Sequence, residues 1–405
     1  MSEVRNIPRL RFPEFEKIWD GNLFSDFYEF QTTNSYSRDN LNYEYGKLKN
    51  IHYGDIHTKF RTQFIVNNED VPYINDDIDI SKIKTNQILK EGDLVIADAS
   101  EDYSDIGKSI EIINVDGKKV VAGLHTLHAK SKNRTYVGFG GFMMKSPSVR
   151  KSLMMIAQGT KVLGISYKRV SQIKINTPSL SEQQKIADFL TAVDKRIELL
   201  ENKKTLLETY KKGVLKKIFN QEIRFKDDNG NEFPDWEEKR LGEVCKIQKG
   251  KQLNKSELID TGQYPAINGG INPSGYTDEW NTVADTITIS EGGNSCGYVN
   301  YIKTNFWCGG HCYSLLEIQN YLQKVYLFEY LKFRESSIMN LRVGSGLPNI
   351  QKREIDSFKI LIPSINEQKT ISSFLSTIGN QIELLETQID KSKTWKKGLL
   401  QKMFV

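Results

Sequence analysis

Two stretches of this sequence are copies of each other, and they decide how the rest of the chain is organised. PSLSEQQKIADFL at residues 178–190 aligns with PSINEQKTISSFL at residues 363–375, at an offset of 185. The alignment continues without a gap to residue 219, with 19 identities over the 42 positions 178–219. Chance does not produce a match of this length. An internal repeat determines the architecture of the whole chain, so it is considered before any local motif.

Both copies carry the hydrophobic pattern of a long helix. Apolar residues recur at heptad spacing through nearly five heptads of the first copy, which is typical of a coiled-coil seam. Each helix is predicted to run about 38 residues, or about 57 Å at about 1.5 Å per residue. One such helix alone favours oligomerisation, whereas two matched copies favour an antiparallel pair within the chain. The seam positions selected are Ile186, Val193, Ile197, Leu200, Ile371, Ile378, Ile382 and Leu385.

Each helix follows a variable block, and the two blocks have the same order of predicted elements. The first has strand-like runs at 93–97, 108–114 and 118–123 and a helical stretch at 147–158. The second has strand-like runs at 286–290, 298–302 and 313–318 and a helical stretch at 322–340. Strands followed by one late helix predict a mixed α/β domain that is built twice.

Short entry segments before the two blocks also match. They pair Phe12, Pro13, Trp19 and Leu23 with Phe233, Pro234, Trp236 and Leu241. The chain is therefore predicted to consist of a first domain at 1–177, a first conserved helix at 178–222, a second domain at 223–362 and a second conserved helix at 363–405.

Composition limits the class of protein. The 405 residues are 38% hydrophobic and 26% charged, with a formal net charge of +5. We expect no membrane helix and no signal peptide, because no apolar run approaches the roughly 18 residues that a span needs. Four cysteines, all beyond residue 240, are too few for a disulfide framework. These features predict a cytoplasmic protein without a membrane partner, whose charge permits DNA as a partner without requiring it.

Motifs that would carry covalent chemistry are incomplete. Residues 102–109 end like a phosphate-binding loop but lack its first glycine. NPSGY at 272–276 lacks the second proline of an amino-methyltransferase motif, and turn chemistry explains it better. The carboxylates of PDWEEK at 234–239 lie too close in sequence to hold one metal from separate strands. We therefore predict no catalytic residue.

One group of residues has the chemistry of metal ligands. Cys308, His311 and Cys312 surround a Gly-Gly turn, but a structural zinc needs four ligands and only distant Cys296 or Cys245 could complete the set. Buried free thiols explain this group better than zinc does. We predict no metal, and metal binding at Cys308, His311 and Cys312 stays open at this point.

Nucleic-acid recognition is the chemistry that remains. Arginine and lysine pair with guanine edges and phosphates, and asparagine and glutamine pair with adenine edges. Basic residues interleaved with aromatic and amide side chains form clusters in both variable blocks, although any one cluster is also compatible with an ordinary solvated face. The candidate DNA-binding residues are Tyr53, His57, Lys59, Arg61, Lys130, Lys132, Asn133, Arg134, Lys249, Lys251, Asn268, Asn272, Arg342 and Arg353.

The whole layout resembles the specificity subunit of type I restriction-modification enzymes. The resemblance rests on the duplicated helices after Pro178 and Pro363, the matching entry segments and the glycine-led strand before each helix. It implies that 1–177 and 223–362 are target recognition domains. Each domain would read one half of an asymmetric bipartite site in double-stranded DNA, and the antiparallel coiled coil would set the spacer between the halves.

The resemblance also implies the partners. The subunit would have no activity of its own and would recruit two modification subunits, which methylate adenine N6, and two ATP-dependent restriction subunits. The helices at 181–219 and 366–404 would dock the modification subunits. S-adenosylmethionine, ATP and magnesium would belong to those partners, so no cofactor is expected in this chain. A methylation-only complex without a restriction subunit, or a coiled-coil scaffold without DNA specificity, are the alternatives.

Overall fold

A computed structural model describes residues 6–344, 346 and 348–405, except for the side chain of Lys255. The chain divides into two compact units. Unit 1 consists of Met1–Glu201 and Thr387–Val405, and unit 2 consists of Asn202–Glu386. Each unit therefore contains one predicted domain together with part of each predicted helix.

Unit 1 is built mainly from short strands, with two short helices early in the domain and three helices late in it. Its elements up to the first long helix are β1 Asp20–Leu23, α1 Phe24–Phe27, β2 Tyr28–Gln31, β3 Leu41–Asn42, β4 Lys49–Ile51, α2 Tyr53–Thr58, β5 Gln63–Ile65, β6 Tyr73–Ile74, β7 Leu94–Ala97, β8 Ala99–Ser100, β9 Ser109–Asn114, β10 Val120–Ala122, β11 Thr126–Ser131, α3 Phe139–Lys145, α4 Pro147–Ile156, β12 Leu163–Gly164, α5 Tyr167–Ser171, β13 Lys174–Thr177 and α6 Leu180–Phe219.

Two main sheets form the body of unit 1. The larger has the strand order β2-β11-β7-β9-β5, and the smaller has the order β10-β4-β6-β3. Neighbouring strands are antiparallel except for β5 with β9 and β10 with β4, which are parallel. Strands β7 and β10 are buried along their whole length, as expected of the apolar runs from which they were predicted.

Unit 2 repeats this plan with fewer strands. Its elements are β14 Glu237–Arg240, α7 Leu241–Val244, β15 Lys246–Lys249, β16 Tyr264–Ile267, β17 Gly275–Thr277, β18 Thr286–Ser290, β19 Val299–Ile302, β20 Trp307–Cys308, β21 Cys312–Leu316, α8 Lys324–Phe333, α9 Glu335–Met339, α10 Lys352–Asp356, β22 Lys359–Ile362 and α11 Ile365–Met403.

Each main sheet of unit 2 matches the corresponding sheet of unit 1 except for one edge strand, β5 or β3, which has no counterpart among the described residues of unit 2. The order β15-β21-β18-β19 corresponds to β2-β11-β7-β9, and β17-β16-β20 corresponds to β6-β4-β10. In both units a strand at the start of the domain pairs antiparallel with the strand that precedes the long helix, β1 with β13 and β14 with β22. The predicted mixed α/β domain built twice is confirmed.

The structural register corrects one detail of the sequence alignment. The amide of Phe24 donates to the Ile173 carbonyl, and the amide of Leu241 donates to the equivalent Phe358 carbonyl, each at 2.8–2.9 Å. The counterpart of Leu241 is therefore Phe24, and the match with Leu23 was wrong by one residue. Both counterparts are fully buried, and the entry segments differ in length, so a constant offset could not find them.

Parts of the two long helices run antiparallel within each unit. In unit 1, Asp194 pairs with Lys396, and Glu201 lies 2.7 Å from Lys393. In unit 2, Lys204 lies 3.0 Å from Glu386. The predicted coiled-coil seam is buried at Ile186, Val193, Ile197, Ile371, Ile378 and Leu385, and half-buried at Leu200 and Ile382.

A buried glutamate fastens each domain to its helix. Glu182 accepts two 2.7 Å hydrogen bonds from the Arg11 guanidinium and one from the Trp19 indole. The carboxylate lies in the first turn of α6, where the helix dipole also favours a negative charge. We call this arrangement the glutamate anchor of unit 1. Burial with two oriented donors makes it a strong and specific contact.

The same anchor recurs in unit 2. Glu367 accepts hydrogen bonds from the Arg224 guanidinium at 2.8 and 3.2 Å and from the Trp236 indole at 3.0 Å. The C-terminal end of the other long helix meets each anchor: Phe219, the last residue of α6, packs on Trp236 in unit 2, and Phe404, just after α11, packs on Trp19 in unit 1. The repeated Glu-Gln and Phe of the sequence copies are therefore the residues that attach domains to helices.

Candidate nucleic-acid interface

The first predicted cluster of unit 1 lies on and just after α2. The Tyr53 ring lies 5.2 Å from the ring of His125, edge to face, and the His57 Nε2 lies 3.0 Å from the Ala99 carbonyl oxygen. Lys59 is exposed, with its Nζ 3.5 Å from Asp55 and 3.2 Å from the Tyr43 hydroxyl. These contacts place the segment beside the turn that precedes β11.

Arg61 has a different environment. Its guanidinium lies 2.7 Å from Glu198 on α6. This ion pair raises the pKa of Arg61 above its usual value, chiefly through the hydrogen bond to Glu198. Arg61 therefore braces the domain against the helix in this structure, and its assignment to DNA stays a prediction.

The second predicted cluster of unit 1 lies at the other end of β11. Lys130 is half-buried on the strand, whereas the three residues that follow β11 are exposed. The Lys132 Nζ donates to the Ser25 carbonyl at 2.7 Å, and Asn133 has a φ of +57°. Because Thr126 begins β11 and Ser131 ends it, Lys132, Asn133 and Arg134 lie away from His125.

Three predicted residues of unit 2 converge on one turn. The Lys249 Nζ lies 2.5 Å from Glu291, and the Lys251 amide donates to the Cys308 carbonyl. The Asn268 Oδ1 accepts a hydrogen bond from the His311 amide at 3.2 Å. The other three, Asn272, Arg342 and Arg353, are exposed on separate segments of unit 2.

One predicted cluster of each unit thus lies beside an equivalent turn, and we call these two turns the histidine turns. They are Ala122–Thr126 between β10 and β11 and Cys308–Cys312 between β20 and β21. In both, the glycine amide donates to an isoleucine carbonyl of the neighbouring strand, from Gly123 to Ile51 and from Gly309 to Ile267. A Cβ at Gly309 would lie 2.5 Å from the Asn268 Oδ1, so only glycine fits.

A carboxylate faces the histidine of each turn. The His125 Nδ1 lies 3.3 Å from Asp98, and the His311 Nδ1 lies 3.6 Å from Glu291. Burial raises the pKa of Asp98 above its usual value, and the neighbouring His125 opposes that rise. Sequence reasoning missed these acids, because the short Gly-x-His signal of residues 123–125 and 309–311 does not indicate which carboxylate it will meet.

The metal candidate has a different arrangement from a zinc site. Cys308 and Cys312 are buried free thiols, and the Cys308 Sγ faces the Cys312 carbonyl at 3.6 Å. His311 instead points toward Glu291. Within the described part of the chain, no group of three or more histidine, cysteine, aspartate or glutamate side chains is arranged to hold a metal ion.

A large cavity of about 780 Å³ lies in unit 1, against the helices. Both signs of charge line it, and the opposite charges are already paired: Lys393 with Glu201, Lys396 with Asp194 and Arg61 with Glu198. Burial lowers the pKa of Lys145, which also lines the cavity, to about 8. Six basic and four acidic residues line the cavity, so its lining carries two more positive than negative charges.

A duplicated α/β domain fastened to paired long helices defines the class of this protein. The model of the family described as "Type I restriction modification DNA specificity domain" matches residues 25–209 and 234–392. The chain belongs to that family, whose description names DNA specificity and not a catalytic activity. Over the residues that the structure describes, no helix has the length and apolar character of a membrane span.

Curated relatives share the same description. A putative type I specificity subunit of Mycoplasma pneumoniae is 33% identical over 176 residues, covering 43% of this chain and 47% of that protein. The MjaVIII type I specificity subunit of Methanocaldococcus jannaschii is 28% identical over 198 residues, covering 46% of each. Each match thus spans about half the length of the relative.

Solved structures match over almost the whole chain. The crystal structure of a type I restriction-modification S subunit from M. genitalium has a TM-score of 0.64 and 17% identity, covering 98% of this chain and 99% of that one. A chain from a study of complex assembly of the type I system has a TM-score of 0.56 and 16% identity, covering 95% and 96%. At these identities the likeness concerns the fold.

Proposed function

We propose that this chain is the specificity subunit of a type I restriction-modification complex, with one recognition domain in each unit. Each domain reads one half of an asymmetric bipartite DNA site. One observation carries the proposal: predicted DNA-binding residues of two dissimilar variable blocks lie beside equivalent histidine turns, Tyr53 in unit 1 and Lys249, Lys251 and Asn268 in unit 2. A duplicated reader with different side chains at one shared position is what an asymmetric two-part target requires.

The exposed face of the long helices supports two identical protein partners. Leu199 and Leu384 occupy equivalent positions and are 59% and 58% exposed, and Tyr210 and Trp395 are 52% and 51% exposed. Large apolar side chains exposed at repeated positions are typical of interaction sites. The buried seam residues from Ile186 to Leu385 pack inside the chain and are not available to a partner. We therefore assign the docking of one modification subunit to each helix copy, through Leu199 and Tyr210 in the first and Leu384 and Trp395 in the second.

The partners would supply the chemistry. The modification subunits would bring S-adenosylmethionine and methylate adenine N6, and the restriction subunits would bring ATP and magnesium to cleave DNA. This chain would select the DNA sequence through its two domains. A complex with modification subunits alone would use the same contacts, so restriction of foreign DNA has to be measured separately.

The test is a map of N6-methyladenine by single-molecule sequencing. The chain is co-expressed with the modification subunit of its own locus in a host that lacks other adenine methylation. We expect one new bipartite motif that disappears when this chain is omitted. A map without any new motif contradicts the proposal, and a phage challenge with and without the locus's restriction subunit separates the complete system from a methylation-only complex.

We also propose that the helices set the spacer. Removing residues 203–209 and the equivalent 388–394 deletes one heptad from each copy and keeps the seam in phase. Seven residues correspond to about 10 Å of helix, or about three base pairs. The methylation map should then show both original half-sites with a shorter spacer, and an unchanged spacer would contradict this part of the proposal.

A further inference from the structure

The two histidine turns share more than their position in the strand order. The amide of Asp98 donates to the His125 carbonyl at 3.0 Å, and the amide of Glu291 donates to the His311 carbonyl at 2.9 Å. The carbonyls of the same two acids accept from Ile165 at 2.9 Å and from Ile350 at 2.8 Å. The same pattern of backbone hydrogen bonds therefore places a histidine over an acid in two domains whose surrounding sequences differ, although φ is positive at His125 and not at His311.

The side chains in this frame are oriented alike. In both pairs Nδ1 is the nitrogen nearest the carboxylate, so Nε2 lies on the far side of the ring. The histidine side chains are 51% and 60% exposed, whereas Asp98 and Glu291 are 28% and 6% exposed. The acid is thus shielded behind an exposed imidazole, which is the arrangement that orients a histidine toward an external group.

His125 is not placed as a packing residue would be. His125 has a φ of +53°, in the left-handed region that is costly for a residue other than glycine. Such strain persists where the surrounding structure enforces it, and it clusters at binding sites. A surface cavity of about 450 Å³ opens beside His125 and Asp98, with Arg169 on its wall.

The acid of unit 2 gives an independent indication. Glu291 Oε1 accepts from the Tyr313 hydroxyl at 3.0 Å and pairs with Lys249. Its buried Oε2 accepts no hydrogen bond from the described residues and lies 3.6 Å from the His311 Nδ1. A buried carboxylate oxygen without a hydrogen bond costs free energy of folding. The placement of Glu291 behind His311 therefore does not serve stability, and we look for its reason in binding.

We propose that His125 and His311 are equivalent DNA-contacting residues, one in each recognition domain, and that Asp98 and Glu291 are their positioning residues. This inference rests on the proposed function. With Nδ1–H directed at the carboxylate, the ring would carry a second proton when it contacts DNA, and Nε2–H would donate to a hydrogen-bond acceptor, either a phosphate oxygen or the N7 or O6 edge of a guanine. The flanking side chains differ, Tyr53 in unit 1 and Lys249 with Asn268 in unit 2, so the two turns would contact different sequences.

The test uses the full chain assembled with its modification subunits. His125→Ala, His311→Ala, Asp98→Asn and Glu291→Gln are compared with the unchanged chain in the N6-methyladenine map and in binding to a duplex that carries the mapped motif. Glu317→Gln is the matched control, because Glu317 pairs with Lys246 at the opposite end of the β15–β21 ladder. His311→Gln keeps a polar group at an exposed site and leaves Glu291 in place. Its result therefore tests the contact even if the Glu291 variant does not fold.

A guanine contact predicts that each variant relaxes one base position in its own half-site, with binding weakened about tenfold or more and the other half unchanged. A phosphate contact predicts uniform weakening across sequences and a salt dependence reduced by about one ion. His311→Gln should recover part of the loss, and the acid variants should follow their histidines. Motif, affinity and salt dependence that all match Glu317→Gln would overturn the inference. Absence of any motif with the unchanged chain would instead overturn the proposed function.

Discussion

Unit 1 and unit 2 attach to the helices through the same contacts, yet their interiors differ. Both use a glutamate anchor, and both use the next residue as well: Gln183 accepts from the Tyr136 amide, and Gln368 accepts from the Gln323 amide. Beneath these contacts, β9 of unit 1 carries the buried Glu111, whereas the equivalent position on β19 is Tyr301. Attachment depends on a few oriented polar groups, while the interiors of the two units carry different side chains at the same strand position.

The helices that pack on Glu111 and Tyr301, α3 and α8, also differ between polar and aromatic contacts. In unit 1, Gly138 and Gly141 at the start of α3 donate their amides to Glu111 at 2.8 and 2.6 Å. In unit 2, the corresponding helix carries Tyr326 and Tyr330, which pack around Phe219. A variable block can thus exchange a buried carboxylate for an aromatic cluster without changing how it meets the helix, and this lets recognition surfaces diverge.

The largest effect is expected at the glutamate anchors. Glu182→Ala and Glu367→Ala each remove a buried carboxylate and leave an arginine and an indole without their acceptor. Each should cost about 3–5 kcal/mol, because breaking a buried, hydrogen-bonded ion pair strands the partner charge. Hydrogen exchange should report the loss in unit 1 for Glu182 and in unit 2 for Glu367, so each variant is the control for the other. Equal loss of protection in both units would contradict separate anchoring.

The anchors also illustrate what sequence could and could not predict. The repeat at offset 185 identified Glu182 and Glu367 as copies, and heptad spacing identified the helices and most of the buried seam. The partner Arg11 lies 171 residues from Glu182, and one such pair leaves no periodic signal. The histidine turns stayed hidden for the same reason, since Asp98 and His125 meet only through the strand order.

The next effect is a pH dependence of stability that we expect in unit 1 and not in unit 2. Burial raises the pKa of Glu111 from 4.5 to about 7, despite the glycine amides that favour the charged form. The folded state then holds a proton that the unfolded chain has released. The contribution of Glu111 to the stability of unit 1 is therefore fully present below about pH 4.5 and is lost as pH rises through about 7. The loss should reach about 3 kcal/mol.

Glu111→Gln should remove this part of the decline. Urea unfolding at several values between about pH 5 and about pH 8 measures it, with hydrogen exchange assigning the change to unit 1. Tyr301 at the equivalent position does not ionise in that range in the unfolded chain, which has a tyrosine pKa of about 10, so it adds nothing to the pH dependence of unit 2. A decline of equal size in the variant would exclude Glu111 as its source.

A smaller effect tests the helix seam. Leu385 is 6% exposed and its neighbour Leu384 is 58% exposed. Leu385→Ala should cost about 2–3 kcal/mol, near the lower end for buried leucine because the adjoining seam residue Ile382 is only half-buried. Leu384→Ala should change stability by less than about 0.5 kcal/mol. Unfolding midpoints in urea give both values, and similar losses would mean that the seam is placed on the wrong face.

The same pair separates stability from partner docking. If the exposed apolar positions bind the modification subunits, Leu384→Ala should weaken assembly while leaving the isolated chain as stable as before. Pull-down of the modification subunit at graded concentrations, with the equivalent Leu199→Ala as the second copy, measures this. Unimpaired assembly in the double variant would remove these residues from the proposed docking surface.

The smallest effect is expected at the braces between each domain and its helix. Glu198 pairs with Arg61 at 2.7 Å in unit 1, and the equivalent Glu383 pairs with Lys303 at 2.8 Å in unit 2. All four side chains are more than one-third exposed, so Glu198→Gln and Glu383→Gln should each cost less than about 1 kcal/mol. Urea unfolding at low salt measures the cost, and about 1 M salt should abolish it.

The two braces also differ in a useful way. Arginine offers a planar fork of donors, whereas lysine is a more strongly hydrated point charge, so Glu198→Gln should cost slightly more than Glu383→Gln. The variable block has thus supplied a different cation, from a different segment, to the same glutamate of the repeat. A loss above about 2 kcal/mol at either site that persists in high salt would mean that the brace is part of the attachment itself, alongside the buried anchors.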